Sequence, residues 1–168
     1  MAADRVVGLT EPLKRVTLWV RSAEASLRLY RDALGLEVIE DKVLAGPHLA
    51  KVVGLEEATL RIVHLAAPGA THGWVGLYEL SAARPPVPEL APPPPDRPAY
   101  GQATIVFTTD RLPELLARVR GLGLRFLTEP AEYVKTTAGD VTPPGRYSEA
   151  IFFDPDGVPV SLMGFAPL

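Results

Sequence analysis

The stretch RVTLWV at residues 15–20 alternates between two chemistries. Val16, Leu18 and Val20 are apolar, as one face of a core-packed strand requires, while Arg15, Thr17 and Trp19 fall on the other face. A guanidinium, a hydroxyl and an indole side by side suit a small-molecule pocket, in which a few polar groups converge among apolar walls. Glu79, in GLYEL, is the carboxylate that could complete such a site. Paired with Arg15 it would neutralise a buried charge. Buried without a partner, it would gain a raised pKa and act as a general base. His64, with apolar neighbours on its strand, reads first as a hydrogen-bonded structural histidine, its second reading being a place in a site. Trp19, Trp74 and Tyr78 are candidates for stacking on a planar ligand, Trp19 foremost. Trp74 and Tyr78 share a parity opposite to Glu79 and read first as core packing. The chain has no cysteine, which excludes a thiolate zinc site, a disulfide framework and a cysteine nucleophile. No G-x-S-x-G elbow accompanies the serines, and GLGL at 121–124 ends a helix where a dinucleotide fingerprint would begin one.

These residues sit on elements whose boundaries the sequence marks. After the first strand, Ser22 is a good N-cap for AEASLRLYRDALGL, where Leu27, Tyr30 and Leu34 recur at helical spacing before Gly35. LEVIED, ATLRIVHLA and GWVGLYELS then read as strands, giving β-α-β-β-β. The proline-rich RPPVPELAPPPPDRP lacks backbone donors and favours extended geometry, so it is a semi-rigid connector. GQATIVFTT is again a strand. Asp110 stands as the cap of RLPELLARVRGLG, whose Leu112, Leu115, Leu116, Val119 and Leu122 form one apolar stripe. LRFLTE, EAIFFD and VPVSLMGF follow as strands, with DPDG at 154–157 as a turn. The same pattern therefore occurs twice: a first module over residues 1–84, a linker over 85–99 and a second module over 100–168. Residues 128–147, rich in proline and glycine, read mostly as loop, leaving the second module's middle strand short or missing.

Composition narrows the partners. With 168 residues, 47% of them hydrophobic and 22% charged, the chain can bury a core, and a net charge of −3 without basic runs offers no footprint for nucleic acid or an anionic membrane. The N-terminal segment lacks a leader-like pattern, and no window is apolar enough for a membrane span, so the expectation is a soluble, cytoplasmic protein whose partner is a small molecule.

RVTLWV with SLRLYRDALGLEV, the strand VGLYEL, the recurrence ATIVFTTDRLPELLARVRGLGLRFL and the ending IFFDPDGVPVSLM together resemble the vicinal oxygen chelate superfamily of glyoxalases, bleomycin-resistance proteins and extradiol dioxygenases. LYRDALGL and DPDG are the most specific parts. The resemblance implies an α+β fold of two β-α-β-β-β modules forming a curved eight-stranded sheet around a cavity, in a homodimer. It also implies four metal-ligand positions, which fall here on Arg15, Glu79, Thr104 and Ser161. Only Glu79 matches the expected ligand type. A guanidinium stays protonated and has no lone pair to donate, so Arg15 would repel a divalent ion. The alternation of the strands places Arg15, Thr17, Trp19, Val75, Leu77, Glu79, Thr104, Val106, Ser161 and Met163 together as the mixed, ligand-facing set. The resulting expectation is a metal-free binder of a small organic molecule, with no cofactor and with Glu79 as the catalytic base if there is catalysis. The alternative is a metal-dependent lyase, isomerase or dioxygenase whose ion is held by Glu79 and His64.

Overall fold

The structure, a computed structural model, describes residues 11–139 and 142–168. Residues 1–10, on which the expectation about a leader rests, and positions 140–141 of the 128–147 stretch lie outside the described residues. In chain order the elements are β1 (Arg15–Trp19), α1 (Ala23–Leu27) continuing as a π-helical turn (Arg28–Ala33), β2 (Glu37–Ala45), α2 (Pro47–Val53), β3 (Glu57–Ala66), β4 (Trp74–Arg84), β5 (Ile105–Thr109), α3 (Leu112–Gly121), β6 (Phe126–Lys135), β7 (Gly145–Phe153) and β8 (Pro159–Ala166). The eight strands form two four-stranded sheets of identical topology, ordered β1-β4-β3-β2 and β5-β8-β7-β6. In each, the first strand runs parallel to the last and the other pairings are antiparallel. The repeated sequence pattern is thus a repeated topology.

The described residues divide into two compact units, those up to Ala23 with 35–87 and those of 24–34 with the chain from Pro88 onward. The helical segment after β1 therefore joins the second sheet's unit and not the strands of its own module. Its wide turn closes through the Leu34 amide on the Leu29 carbonyl at 2.9 Å. That turn buries Leu29, Tyr30 and Ala33 together, so consecutive residues 29 and 30 both reach the packed side, which straight helical spacing does not foresee.

Within the second unit, Ala150, Phe152, Val160 and Leu162 are buried, as are Leu112, Leu116 and Val119 of α3, whose stripe packs on β8 and the π-helical turn. α3 begins one residue later than Asp110 suggests, with Arg111 at the N-cap. The DPDG turn is organised by Asp154. Its Oδ1 accepts the amides of Asp156 and Val158, and its Oδ2 accepts the Tyr30 hydroxyl. Gly157 adopts φ 88°, a conformation that penalises any Cβ.

Two expectations are corrected here. The 128–147 stretch is not mostly loop: β6 extends to Lys135 and pairs with β7 from Gly145 onward. Pro130 is tolerated because β6 is an edge strand and the ladder skips between Thr128 and Ala131, so the missing N–H falls where no pair forms. The second correction is α2, a short helix opened by Pro47 and closed by the left-handed Gly54, where the sequence reading placed no element. Among the described residues no helix is long and apolar enough to cross a membrane.

Candidate functional site

The register of the first sheet decides which side chains meet. β1 pairs with β4 as Arg15 with Trp74, Thr17 with Gly76 and Trp19 with Tyr78. On the next strand Gly76 pairs with His64 and Tyr78 with Ile62, and beyond it Glu40 of β2 pairs with His64. Paired residues share a face, so Arg15, Thr17, Trp19, Trp74, Tyr78, His64 and Glu40 line one side of the sheet. Val16, Leu18, Val63, Leu65, Val75 and Leu77 occupy the other, the packed side.

The first face is a connected constellation. Arg15 Nε donates to Thr17 Oγ1 at 3.3 Å, and its guanidinium carbon lies 5.8 Å from the Tyr78 ring centre. Trp19, 52% exposed, meets the Tyr78 ring edge-on at 5.5 Å. Lys14 Nζ sits 3.8 Å over the Trp74 ring, whose Nε1 donates to the Ala70 carbonyl. His64 is only 7% exposed. Its Nδ1 is 2.9 Å from Glu40 Oε2, and its Nε2 is 3.4 Å from the Tyr78 hydroxyl. Burial and the nearby positive charge of Arg15 hold the imidazole below its ordinary pKa, partly opposed by Glu40. Glu40 itself is held below the usual carboxylate range, first by its hydrogen bond from Lys42 and further by His64. An ionised carboxylate only accepts, so Nδ1 of a neutral His64 carries the proton and Nε2 presents its lone pair to Tyr78.

Gly76 makes this convergence possible. A Cβ there would lie 3.2 Å from Tyr78 Cε1, 3.4 Å from His64 Cδ2 and 3.5 Å from Arg15 Cδ. Three polar side chains thus gather over a residue that contributes no side chain of its own.

The sequence-derived set does not assemble as one surface. Leu77 is 0% exposed and, with Val75 and Glu79, lies on the packed face. Arg15 and Glu79 do not pair: Arg15 is opposite Trp74, five residues or about 17 Å of strand from Glu79, and on the other side of the sheet. Glu79 Oε2 instead accepts the Ala23 amide at 2.8 Å, at the start of α1. This placement gives it a structural acceptor's role and not that of a base facing Arg15. His64 and Glu79 likewise occupy opposite faces, which separates the two ligands of the metal-dependent alternative.

On the second sheet, Thr104 precedes β5 and is exposed. Val106 pairs with Ser161, Thr108 with Met163, and Met163 with Glu149, so Val106, Ser161 and Met163 do share a face. Ser161 is buried and donates to Glu149 Oε1 at 2.5 Å, while the Tyr133 hydroxyl reaches Met163 Sδ at 3.8 Å. Sequence reasoning missed Glu149 and Glu40, and favoured core packing over ligand stacking for Tyr78. Their parity along a strand is readable, but which neighbour they face depends on register.

The donor set on the first sheet does not fit a divalent ion. Its central group is a cation with no lone pair, its imidazole already bridges Glu40 and Tyr78, and among the described residues no three His, Asp or Glu side chains converge.

The sequence profile of the Glyoxalase/Bleomycin resistance protein/Dioxygenase superfamily matches residues 13–162. Among solved structures, a glyoxalase family protein from Bacillus cereus superposes with a TM-score of 0.73 at 18% identity, covering 98% of both chains. A glyoxalase/dioxygenase from Nostoc punctiforme gives 0.58 at 18% identity, covering 99% of both. A glyoxalase family protein from Enterococcus faecalis gives 0.55 at 17% identity, covering 91% of this chain and 97% of its own. At these identities the likeness is one of fold. No curated protein matches the chain at a significant level.

Proposed function

Because the chain belongs to the Glyoxalase/Bleomycin resistance protein/Dioxygenase superfamily, we propose that it binds a small organic anion on the Arg15 face of its first sheet, without a divalent metal. The observation that carries this reading is Arg15 itself. It stands on an aromatic-walled face, its polar contact is the neutral Thr17 hydroxyl, and it has no carboxylate partner among the described residues. A guanidinium in that setting is suited to a carboxylate, which it can grip through two parallel N–H donors. The half-exposed Trp19 indole offers a planar surface to the rest of the ligand. Membership of the family sets no particular chemistry, so the site must argue for itself.

Quenching of tryptophan fluorescence by benzoate and phenylpyruvate tests the reading. Binding is expected in protein treated with a chelator, and Arg15→Met is expected to weaken it at least tenfold. Binding that returns only on adding a divalent metal, or that ignores Arg15→Met, would refute it. Elemental analysis of the purified protein is expected to give far less than one divalent metal per chain.

A further inference from the structure

We infer that Glu40, His64 and Tyr78 form a proton relay that makes the Tyr78 hydroxyl a general base toward a carbon acid bound at Arg15, so that the protein catalyses enolisation of small aromatic 2-oxo acids. This rests on the ligand reading above and adds a reaction to it. The three groups come from three adjacent strands, β2, β3 and β4, and are connected one to the next: Glu40 Oε2 to His64 Nδ1 at 2.9 Å, then His64 Nε2 to the Tyr78 hydroxyl at 3.4 Å. Glu40 fixes the tautomer. The proton sits on Nδ1, and Nε2 is the only ring atom able to take another. The imidazole is buried, so the geometry supplies a base held neutral and waiting, not one solvated and spent.

The step balances. The hydrogen on the carbon next to the ligand's carbonyl passes to the Tyr78 oxygen as the hydroxyl's own hydrogen passes to His64 Nε2. The C–H electron pair stays on the ligand as an enolate. The new imidazolium is offset by the Glu40 carboxylate, and the enolate by the Arg15 guanidinium, whose side chain converges with Tyr78 and His64 over Gly76. Reversing the relay returns a proton to carbon, exchanging it with solvent. In a 2-oxo acid the carboxylate and the incipient enolate oxygen are on adjacent carbons, which places both charges within reach of one guanidinium. Trp19 then takes the aromatic ring.

Two measurements on the intact chain test this, with phenylpyruvate as the probe. Nitrogen-15 NMR of the histidine side chains is expected to show His64 neutral at pH 7 with its proton on Nδ1, shifting toward the Nε2–H form in Glu40→Gln. An Nε2–H form in the wild type, or a charged ring, overturns the relay. Deuterium uptake at C3 of phenylpyruvate is expected to exceed the buffer rate and to fall on the order of 100-fold in Tyr78→Phe and in His64→Gln. Tyr78→Phe keeps the ring beside Trp19, so its binding of the probe, read by fluorescence, is expected to persist. Binding without accelerated exchange in the wild type, or undiminished exchange in Tyr78→Phe, overturns the inference while leaving the binding reading intact. Absence of binding overturns both.

Discussion

The Tyr30 hydroxyl donates to Asp154 Oδ2 over 2.9 Å, joining residues 124 positions apart in a buried site. It connects the two sequence features most specific to the family, LYRDALGL and DPDG, and gives their coexistence a physical cause. Asp154, 4% exposed, uses Oδ1 to shape its own turn and Oδ2 to hold the helical segment against the second unit's sheet. Burial raises the Asp154 carboxyl above its usual range, and its hydrogen bonds, Tyr30's among them, oppose that rise. Burial and the facing carboxylate likewise push the Tyr30 phenol well up. Tyr30→Phe removes a buried bond to a charged acceptor and is expected to cost ~1.5–3 kcal/mol in chemical denaturation. A loss below about 0.5 kcal/mol would mean that water replaces the hydroxyl.

Arg15 and Glu79 are expected to behave independently. Glu79→Ala removes the acceptor at the start of α1 and is expected to cost ~1 kcal/mol. Combined with Arg15→Met, the two losses should add within ~0.5 kcal/mol, because the residues lie far apart on opposite faces of the sheet. Double-mutant denaturation showing that Arg15→Met rescues Glu79→Ala would restore the ion pair that the register argues against.

Gly76→Ala probes the convergence. The added methyl meets the Tyr78 ring first, and the ring must give by a few tenths of an ångström. The expected cost is ~1–3 kcal/mol, as for overpacking elsewhere. The Trp19 emission spectrum should change as its edge contact with Tyr78 shifts. Unchanged stability and emission would show that the three side chains do not meet over this position.

Stability should depend on pH through His64. The groups facing it are Glu40 and Lys42 from β2, Arg15 from β1 and Tyr78 from β4. Its folded-state pKa lies below the unfolded value of about 6.5, so the unfolded chain binds more protons between those two values. The contribution of neutral His64 is therefore fully present above about pH 6.5 and is lost as pH falls through the folded pKa. Melting curves of wild type and His64→Gln should converge toward acid, with the wild type losing more. Glu40→Gln should steepen the acid loss, since Glu40 is the group that raises the imidazole's pKa. Parallel curves for wild type and His64→Gln between pH 4 and 8 would contradict the burial argument.

Most of the elements and their repetition are legible in the sequence, α2 and the reach of β6 past Pro130 excepted. Alternating apolar residues in RVTLWV and VPVSLMGF, the stripe from Leu112 to Val119, and turn residues at Gly35 and DPDG are local signals that each segment carries alone. That Arg15 has no lone pair to offer a metal is a matter of its side-chain chemistry alone. What the tertiary structure decided was register. A strand shifted by one residue turns every side chain to the opposite face, and nothing in GLYEL says whether Glu79 or Tyr78 shares a face with Arg15. The ladder answers that Tyr78 does, through Trp19, and that His64 follows through Gly76, bringing a tyrosine read as packing and a histidine read first as structural to one face with Arg15. It also allowed the edge strand to run through Pro130, whose local propensity argued for a loop. The helical segment after β1 obeys the same logic. Its amphipathic pattern showed that it must pack on something, but the contacts with α3 and the buried bond from Tyr30 to Asp154 select the second sheet's unit, because choice of partner depends on contacts between residues far apart in the chain.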